Sequence, residues 1–246
     1  MKVNEAAEQL IASGIPPLDV TYEKVSFFDG ADPVYRTRLV FNSLEIGTLS
    51  YDTYRYVAAR TRQGNHIVKR HLAKLFGMLS SEEPLFRDAR CFTFPVHAKM
   101  LHEGELSAVL AELDADTPLV SASSVCVEVS ADMLFENTEK IEKELSDLRT
   151  MGCRIAISEI GTEFSPAFRL AKFRFDYAIL DASVVKGLTN DDAERAVGGI
   201  ISYLHHLGAR VIAPCLTQEE QIATAKKIQC DGFSSFAPQR EEEQTS

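Results

Sequence analysis

Eight polar or reactive side chains stand at or beside short apolar runs of this sequence: Arg36, His97, Glu128, Ser158, Glu159, Asp181, Cys215 and Asp231. Carboxylates are the ligands that hard divalent cations take, and imidazole and thiolate suit zinc. A guanidinium matches a phosphate or carboxylate with two parallel hydrogen bonds. The stretch Met151 to Ser165, MGCRIAISEIGTEFS, shows the problem these residues set. Its apolar run Ile155-Ala156-Ile157 ends in Ser158-Glu159 just before the turn Gly161-Thr162. Chemistry often sits at such a place in an α/β protein, yet here there is one acid where a metal site would want two or more. The eight residues are far apart in the chain, so they act together only if the elements bring them to one place.

The elements that would do so follow from the hydrophobic pattern. Val20 to Phe28 and Val34 to Phe41 read as strands turned at Asp29-Gly30, a hairpin-like pair. Tyr51 to about Leu79 has helical spacing broken near Gln63-Gly64-Asn65, which predicts two helices. Strands and helices then alternate. Strands are expected at Cys91 to Val96, Val125 to Val129, Arg154 to Ile157, Tyr177 to Leu180, Arg210 to Ala213 and Gly232-Phe233. Helices are expected at Met100 to Leu113, Thr138 to Thr150, Pro166 to Lys172, Asp191 to Leu207 and Gln218 to Ile228. Such alternation implies a parallel sheet covered by helices. Roughly eight strands in a chain of this length fit an α/β TIM-type (β/α)8 barrel better than an open doubly wound sheet. In such a barrel the working residues sit at the C-terminal ends of the strands. Neither GxGxxG nor GxxxxGK[ST] occurs, which weakens a nucleotide-binding Rossmann reading.

Three segments are expected: an N-terminal helix and lead-in over residues 1–18, one domain over 19–238, and a disordered acidic tail over 239–246, QREEEQTS, which is polar and has nothing to bury. The chain has 246 residues, 45% hydrophobic and 25% charged, in the ordinary range of a globular protein. Its net charge of −10, from 26 basic and 36 acidic residues, argues against general binding to nucleic acid or insertion at an anionic membrane. Five cysteines, an odd number with no CxxC spacing, suggest buried thiols in a reducing cytosol rather than a disulfide framework or a zinc ribbon. The N-terminus lacks a signal-peptide core and no apolar run approaches the ~20 residues that span a bilayer. A cytoplasmic protein is expected.

At the strand ends the sequence resembles the EAL domain, the bacterial cyclic di-GMP phosphodiesterase family, from about Val20 to Pro238. Tyr35 to Asn42 (YRTRLVFN) lies where that family has its Glu-Ala-Leu strand. Val127-Glu128-Val129-Ser130 is similar to its Leu-Glu-Ile-Thr strand end, and Ser158 to Ser165 (SEIGTEFS) to its Asp-Asp-Phe-Gly-Thr-Gly-Tyr-Ser segment. Phe175 to Asp181 (FDYAILD) resembles Val-Asp-Tyr-Ile-Lys-Ile-Asp, and Val211 to Gln221 (VIAPCLTQEEQ) resembles Ile-Ala-Glu-Gly-Val-Glu-Thr-Glu-Glu-Gln. Asp231-Gly232-Phe233 to Pro238 resembles the closing Gln-Gly-Tyr…Pro. The resemblance implies an EAL-type barrel whose early strand order departs from a regular one.

It also implies an array of carboxylates and an Asn that holds two divalent cations, and here the sequence departs. Two close cations need several anionic oxygens to neutralise and space them. Arg36 stands at the signature Glu position, His97 at the Asn, and Ser158-Glu159 at the Asp-Asp pair. Ile179 replaces the catalytic Lys, Pro214 and Thr217 replace acids, and Asp231 replaces a Gln. Only Glu128 and Asp181 are kept, with Glu159 a near match. The expectation is a degenerate EAL domain with no phosphodiesterase activity and no cofactor, a regulator that binds other proteins in signalling of the motility or biofilm type. A cyclic di-GMP receptor that binds without hydrolysis is the alternative, and a hydrolase with a zinc site rebuilt from His97, Glu128, Asp181 and Cys215 a more remote one. The plain structural reading is that Arg36, Glu128 and Asp181 neutralise one another in the barrel mouth.

Two further features bear on partners. Arg55 to Lys74 (RYVAARTRQGNHIVKRHLAK) holds six cations, Arg55, Arg60, Arg62, Lys69, Arg70 and Lys74, and no acid. It reads either as a solvated helix face or as a docking surface for an acidic protein. The loop Gly161 to Pro166 aligns with the segment that in EAL proteins couples the site to a dimer interface, which leaves a homodimer open.

Overall fold

A run of apolar residues that is buried on both faces makes a strand of a parallel sheet, and most strands here are of that kind. The computed structural model describes residues 18–43, 47–49, 64–80, 86–116, 121–135, 138–162, 167–188 and 190–236. The helix expected near the N-terminus, the first helix expected after Tyr51, residues 163–166 of the loop Gly161 to Pro166, the tail, and Arg55, Arg60 and Arg62 lie outside the described residues. The strands are β1 (Leu18–Phe27), β2 (Val34–Ser43), β3 (Gly47–Leu49), β4 (Cys91–Pro95), β5 (Val125–Ser130), β6 (Arg154–Ile160), β7 (Tyr177–Leu180), β8 (Arg210–Ala213) and β9 (Gly232–Phe236).

They form one sheet in the order β1-β9-β8-β7-β6-β5-β4-β2-β3, and the further pairing of β1 with β2 closes it into an eight-stranded barrel with β3 attached outside the ring. The TIM-type barrel and its early departure are both present. β1 runs antiparallel to β2 and to β9, while the other neighbours around the ring are parallel. The reason is local: Gly30, with φ +77°, turns the chain within a few residues of Phe27. A short connection can join only antiparallel strands, because a parallel pair needs a crossover of a dozen residues or more.

The helices are α1 (Gly64–Ser80), α2 (Ala98–Glu103), α3 (Glu105–Asp116), α4 (Thr138–Thr150), α5 (Ala167–Leu170), α6 (Ala182–Lys186), α7 (Asp191–His206) and α8 (Glu219–Lys227). The single helix expected over Met100 to Leu113 is two, because Gly104 takes the left-handed conformation at φ +66° and its N–H caps the carbonyls of Met100 and Leu101. The strand expected to stop at Ile157 continues through Ser158 and Glu159 to Ile160, with a register shift against β7 over that stretch and φ +61° at Glu159.

Alternation along the strands divides the core into two parts. Inside the barrel lie Val25, Phe27, Val34, Cys91, Cys126, Ala156, Tyr177, Ile179 and Ile212. Their sequence neighbours Tyr35, Phe92, Val125, Val127, Ile155, Ile157, Ala178, Leu180, Val211 and Ala213 point outward and pack under the helices. α4 meets that layer with Ile141, Leu145 and Leu148, and α1 meets it with Val68, Leu72, Leu75 and Phe76. Each such side chain stabilises the fold by roughly 1.5–3 kcal/mol through burial alone.

Candidate functional site

On β2 the alternation that sends Tyr35, Thr37 and Leu39 outward sends Val34, Arg36 and Arg38 into the barrel. Thr93 on β4 and Glu128 on β5 come inward by the same rule, and Glu23 on β1 stands opposite Arg36 in register. These residues make one buried polar network. Arg36 Nη2 donates to Glu128 Oε1 at 3.0 Å and Arg36 Nε to Glu128 Oε2 at 3.4 Å. Arg36 Nη1 donates to Glu23 Oε2 at 3.2 Å. Arg38 Nη2 donates to Glu128 Oε1 at 2.6 Å and the Thr93 hydroxyl to Glu128 Oε2 at 3.1 Å. The Cys215 thiol donates to Glu23 Oε1 at 3.4 Å.

The electrostatics follow from this geometry. Burial alone would push the Glu128 carboxyl up, but Arg36 and Arg38 outweigh it and hold it well below the usual carboxylate range. Burial alone would likewise lower Arg36, and Glu128 with Glu23 keeps it charged above its ordinary value. Burial and then the Glu23 charge push the Cys215 thiol up to about 11, so it is no thiolate at neutral pH.

A cavity of about 220 Å³ opens at the C-terminal ends of the strands, as expected for such a barrel. Six of the eight residues singled out in the sequence line it: Arg36, Glu128, Ser158, Glu159, Asp181 and Cys215. Glu23 and Arg38 line it too and were missed, though both follow from period-two spacing, with Val25 and Phe27 on β1 and with Arg36 on β2. Asp181 stays out of the Arg36 network. It caps α6, where its Oδ1 accepts from Ser183 N at 2.8 Å.

His97 and Asp231 do not line the cavity. His97 is the N-cap residue of α2, and among the described residues neither ring nitrogen makes a hydrogen bond of sound geometry. Burial lowers its pKa. Asp231 precedes β9 and therefore lies at the opposite end of the barrel, where it accepts from Val211 N at 2.6 Å and pairs with His205 Nε2 at 2.8 Å. A residue just before a parallel strand cannot reach the end where its neighbours finish. The set His97, Glu128, Asp181 and Cys215 does not converge. Among the described residues no three His, Cys, Asp or Glu side chains stand together so as to hold a metal ion.

A second buried chain leads outward from the same strands. The Thr37 hydroxyl donates to the Thr93 carbonyl at 2.5 Å and lies 3.0 Å from His71 Nε2. Its one proton is given to Thr93, so His71 Nε2 is the donor in the second bond. Burial, then the charge of Arg38, depresses His71 to about 3, and the imidazole is neutral.

A family model described as the EAL domain matches residues 33–234, and the chain belongs to that family. An uncharacterized signaling protein of Caulobacter vibrioides is 29% identical over 138 residues, 56% of this chain and 17% of that protein's length. The signaling protein YkoW of Bacillus subtilis is 31% identical over 111 residues, 45% of this chain and 14% of its own length. The chain thus matches less than a fifth of the length of these two relatives. Among solved structures, the crystal structure of a FimX EAL domain superposes with a TM-score of 0.83 at 15% identity, covering 96% of this chain and 94% of that one. The FimX EAL domain from Pseudomonas aeruginosa bound to cyclic di-GMP gives a TM-score of 0.81 at 16% identity, with 96% and 94% covered. At such identities the likeness concerns the fold. Among the described residues no helix is long and apolar enough to cross a membrane.

The two divalent cations that the family resemblance implies do not fit the residues at this site. Both oxygens of Glu128 already accept hydrogen bonds from Arg36, and Arg38 and Thr93 add one each. A guanidinium stands against the carboxylate that a cation would need.

Proposed function

We propose that this chain is a non-hydrolytic EAL domain, a cytoplasmic regulatory module that acts in signalling by contact with other proteins. The observation that carries the reading is the Glu128 carboxylate, occupied on both oxygens by the two arginines and Thr93. A carboxylate so engaged has little left to offer a metal, and a fixed cation beside it repels another. Ile179 lines the same cavity and brings no proton or charge to it. The test is incubation of the full chain with cyclic di-GMP and Mg²⁺ or Mn²⁺, with product separated chromatographically. No linear dinucleotide is expected. Turnover that depends on metal would sink the proposal.

A second reading, a cyclic di-GMP receptor, is favoured by the FimX domain of the same fold, which is bound to that ligand. Against it, the cavity of about 220 Å³ is smaller than the ~300–1,000 Å³ of ordinary small-molecule pockets. Isothermal titration of the chain with cyclic di-GMP separates the two. Micromolar binding that weakens in an Arg38→Ala variant supports the receptor, and no heat at high ligand leaves the protein-binding module.

A further inference from the structure

Helix α1 differs in charge from the other long helices described. It holds Lys69, Arg70 and Lys74 and no acid, whereas α3 holds four acids and no base. Helices α4, α7 and α8 carry both signs. The inward face of α1 is already used, since Ile67, Val68, His71, Leu72, Leu75 and Phe76 are buried. The outward face exposes His66, Lys69, Ala73, Lys74 and Gly77, with Arg70 at its edge. Lys69 lies 3.6 Å from Glu105 Oε2, a loose and exposed pair. Arg70 and Lys74, one helical turn apart, meet no acid within ion-pair distance among the described residues. Cations left together on one face of a chain of net charge −10 are complementary to an anion from elsewhere.

We propose that the outward face of α1 docks an acidic segment of a partner protein. This inference rests on the reading that the chain works through protein contacts, and it supplies the surface and the chemistry of the partner. A membrane fits less well, because an interfacial helix buries bulky apolar side chains and α1 exposes only Ala73 and Gly77 between its cations. Nucleic acid fits less well too. Its affinity comes from neutralising several phosphates in a row, and Glu103 and Glu105 stand beside the first turn of α1, both accepting from Asn65 Nδ2. A protein segment can set two carboxylates opposite Arg70 and Lys74 and place neutral residues opposite those acids. The docked face also has a connection to the cavity. His71, on the buried side of α1, is bonded to Thr37, which sits on β2 between Arg36 and Arg38.

The test uses the full chain and a fluorescently labelled peptide of about ten residues rich in glutamate, with its glutamine counterpart as control. Anisotropy is followed at low and at physiological salt, and a DNA duplex and phosphatidylserine vesicles are titrated in parallel. The glutamate peptide is expected to bind, and the glutamine peptide to bind at least about tenfold more weakly. An Arg70→Glu/Lys74→Glu variant with an unchanged melting curve should lose about tenfold in affinity, equal to about 1.4 kcal/mol. Single Arg70→Gln and Lys74→Gln variants, which remove charge without adding an acid, should fall between. Wild-type affinity in the charge-reversed variant would overturn the proposal, and so would tighter binding of DNA or vesicles than of the peptide. Hydrolysis of cyclic di-GMP would overturn the non-hydrolytic reading but not the peptide result, so the two failures are distinguishable.

Discussion

Arg36 meets Glu128 side-on, with Nη2 3.0 Å from Oε1 and Nε 3.4 Å from Oε2, across a barrel in which their strands are not neighbours. Strand β4 lies between them, and its Thr93 hydroxyl reaches the same carboxylate. Two buried charges from distant parts of the chain are thus fixed against each other at the place where the family resemblance implies a metal. A guanidinium is held there by covalent attachment, so its occupancy does not depend on the concentration of any ion.

Removing Arg36 leaves the buried Glu128 with Arg38 and Thr93 alone and takes the guanidinium from Glu23. Arg36→Met is therefore expected to destabilise the fold by about 3–5 kcal/mol. Arg36→Met combined with Glu128→Leu should cost less than the sum of the two single changes, because the two side chains bond each other. Urea unfolding of both single variants and the double variant checks this, and strictly additive losses would contradict it.

The acid limb of stability should report Glu128. Its folded pKa lies below its ordinary value of 4.5, so its contribution is complete above that value and drains away as pH falls from 4.5 toward the folded pKa. Below pH 4.5 the wild-type melting temperature should drop more steeply than that of Glu128→Gln. Parallel curves would show that the carboxylate is not held by its arginines.

His71 gives a separate signature at higher pH. It is neutral in the fold with a pKa of about 3, while in the unfolded chain it takes a proton near 6.5. The unfolded state therefore binds more protons between those values, and stability is lost as pH falls from 6.5 to 3, by up to about 1.4 kcal/mol per pH unit. A His71→Gln variant should lack this slope between pH 6.5 and 5, a window that lies above the titration of Glu128. An unchanged slope would place the titration elsewhere.

Gly161, directly after β6, has φ +96°, and a Cβ there would lie 2.6 Å from Val184 Cγ2 on α6. Gly161→Ala should cost about 1–3 kcal/mol from strained backbone and the clash together. Adding Val184→Ala should relieve the clash and leave the backbone share. Thermal melts of the single and double variants separate the two parts.

Much of this protein is readable in one dimension. The apolar runs and their alternation with helical spacing already define a barrel, because a strand buried on both faces and a helix apolar on one face leave few ways to pack. The substitutions Arg36, Ser158 and Ile179 are likewise visible in order along the chain, and with them the weakness of any metal site. Even Glu23 and Arg38 follow from period-two spacing once their strands are placed. Other features depend on geometry that spacing does not carry. Whether Asp181 would neutralise Arg36 or cap α6 depends on which way a side chain turns at a strand end. That Asp231 faces the far end of the barrel depends on its preceding β9 rather than following it. The sequence by itself determined the fold and the chemical types at the strand ends, since burial periodicity is local. Only the tertiary structure decided which charges meet, because Arg36 reaches Glu128 across the parallel pairing of β2, β4 and β5, and Glu23 joins them through the β1–β2 pairing that closes the barrel.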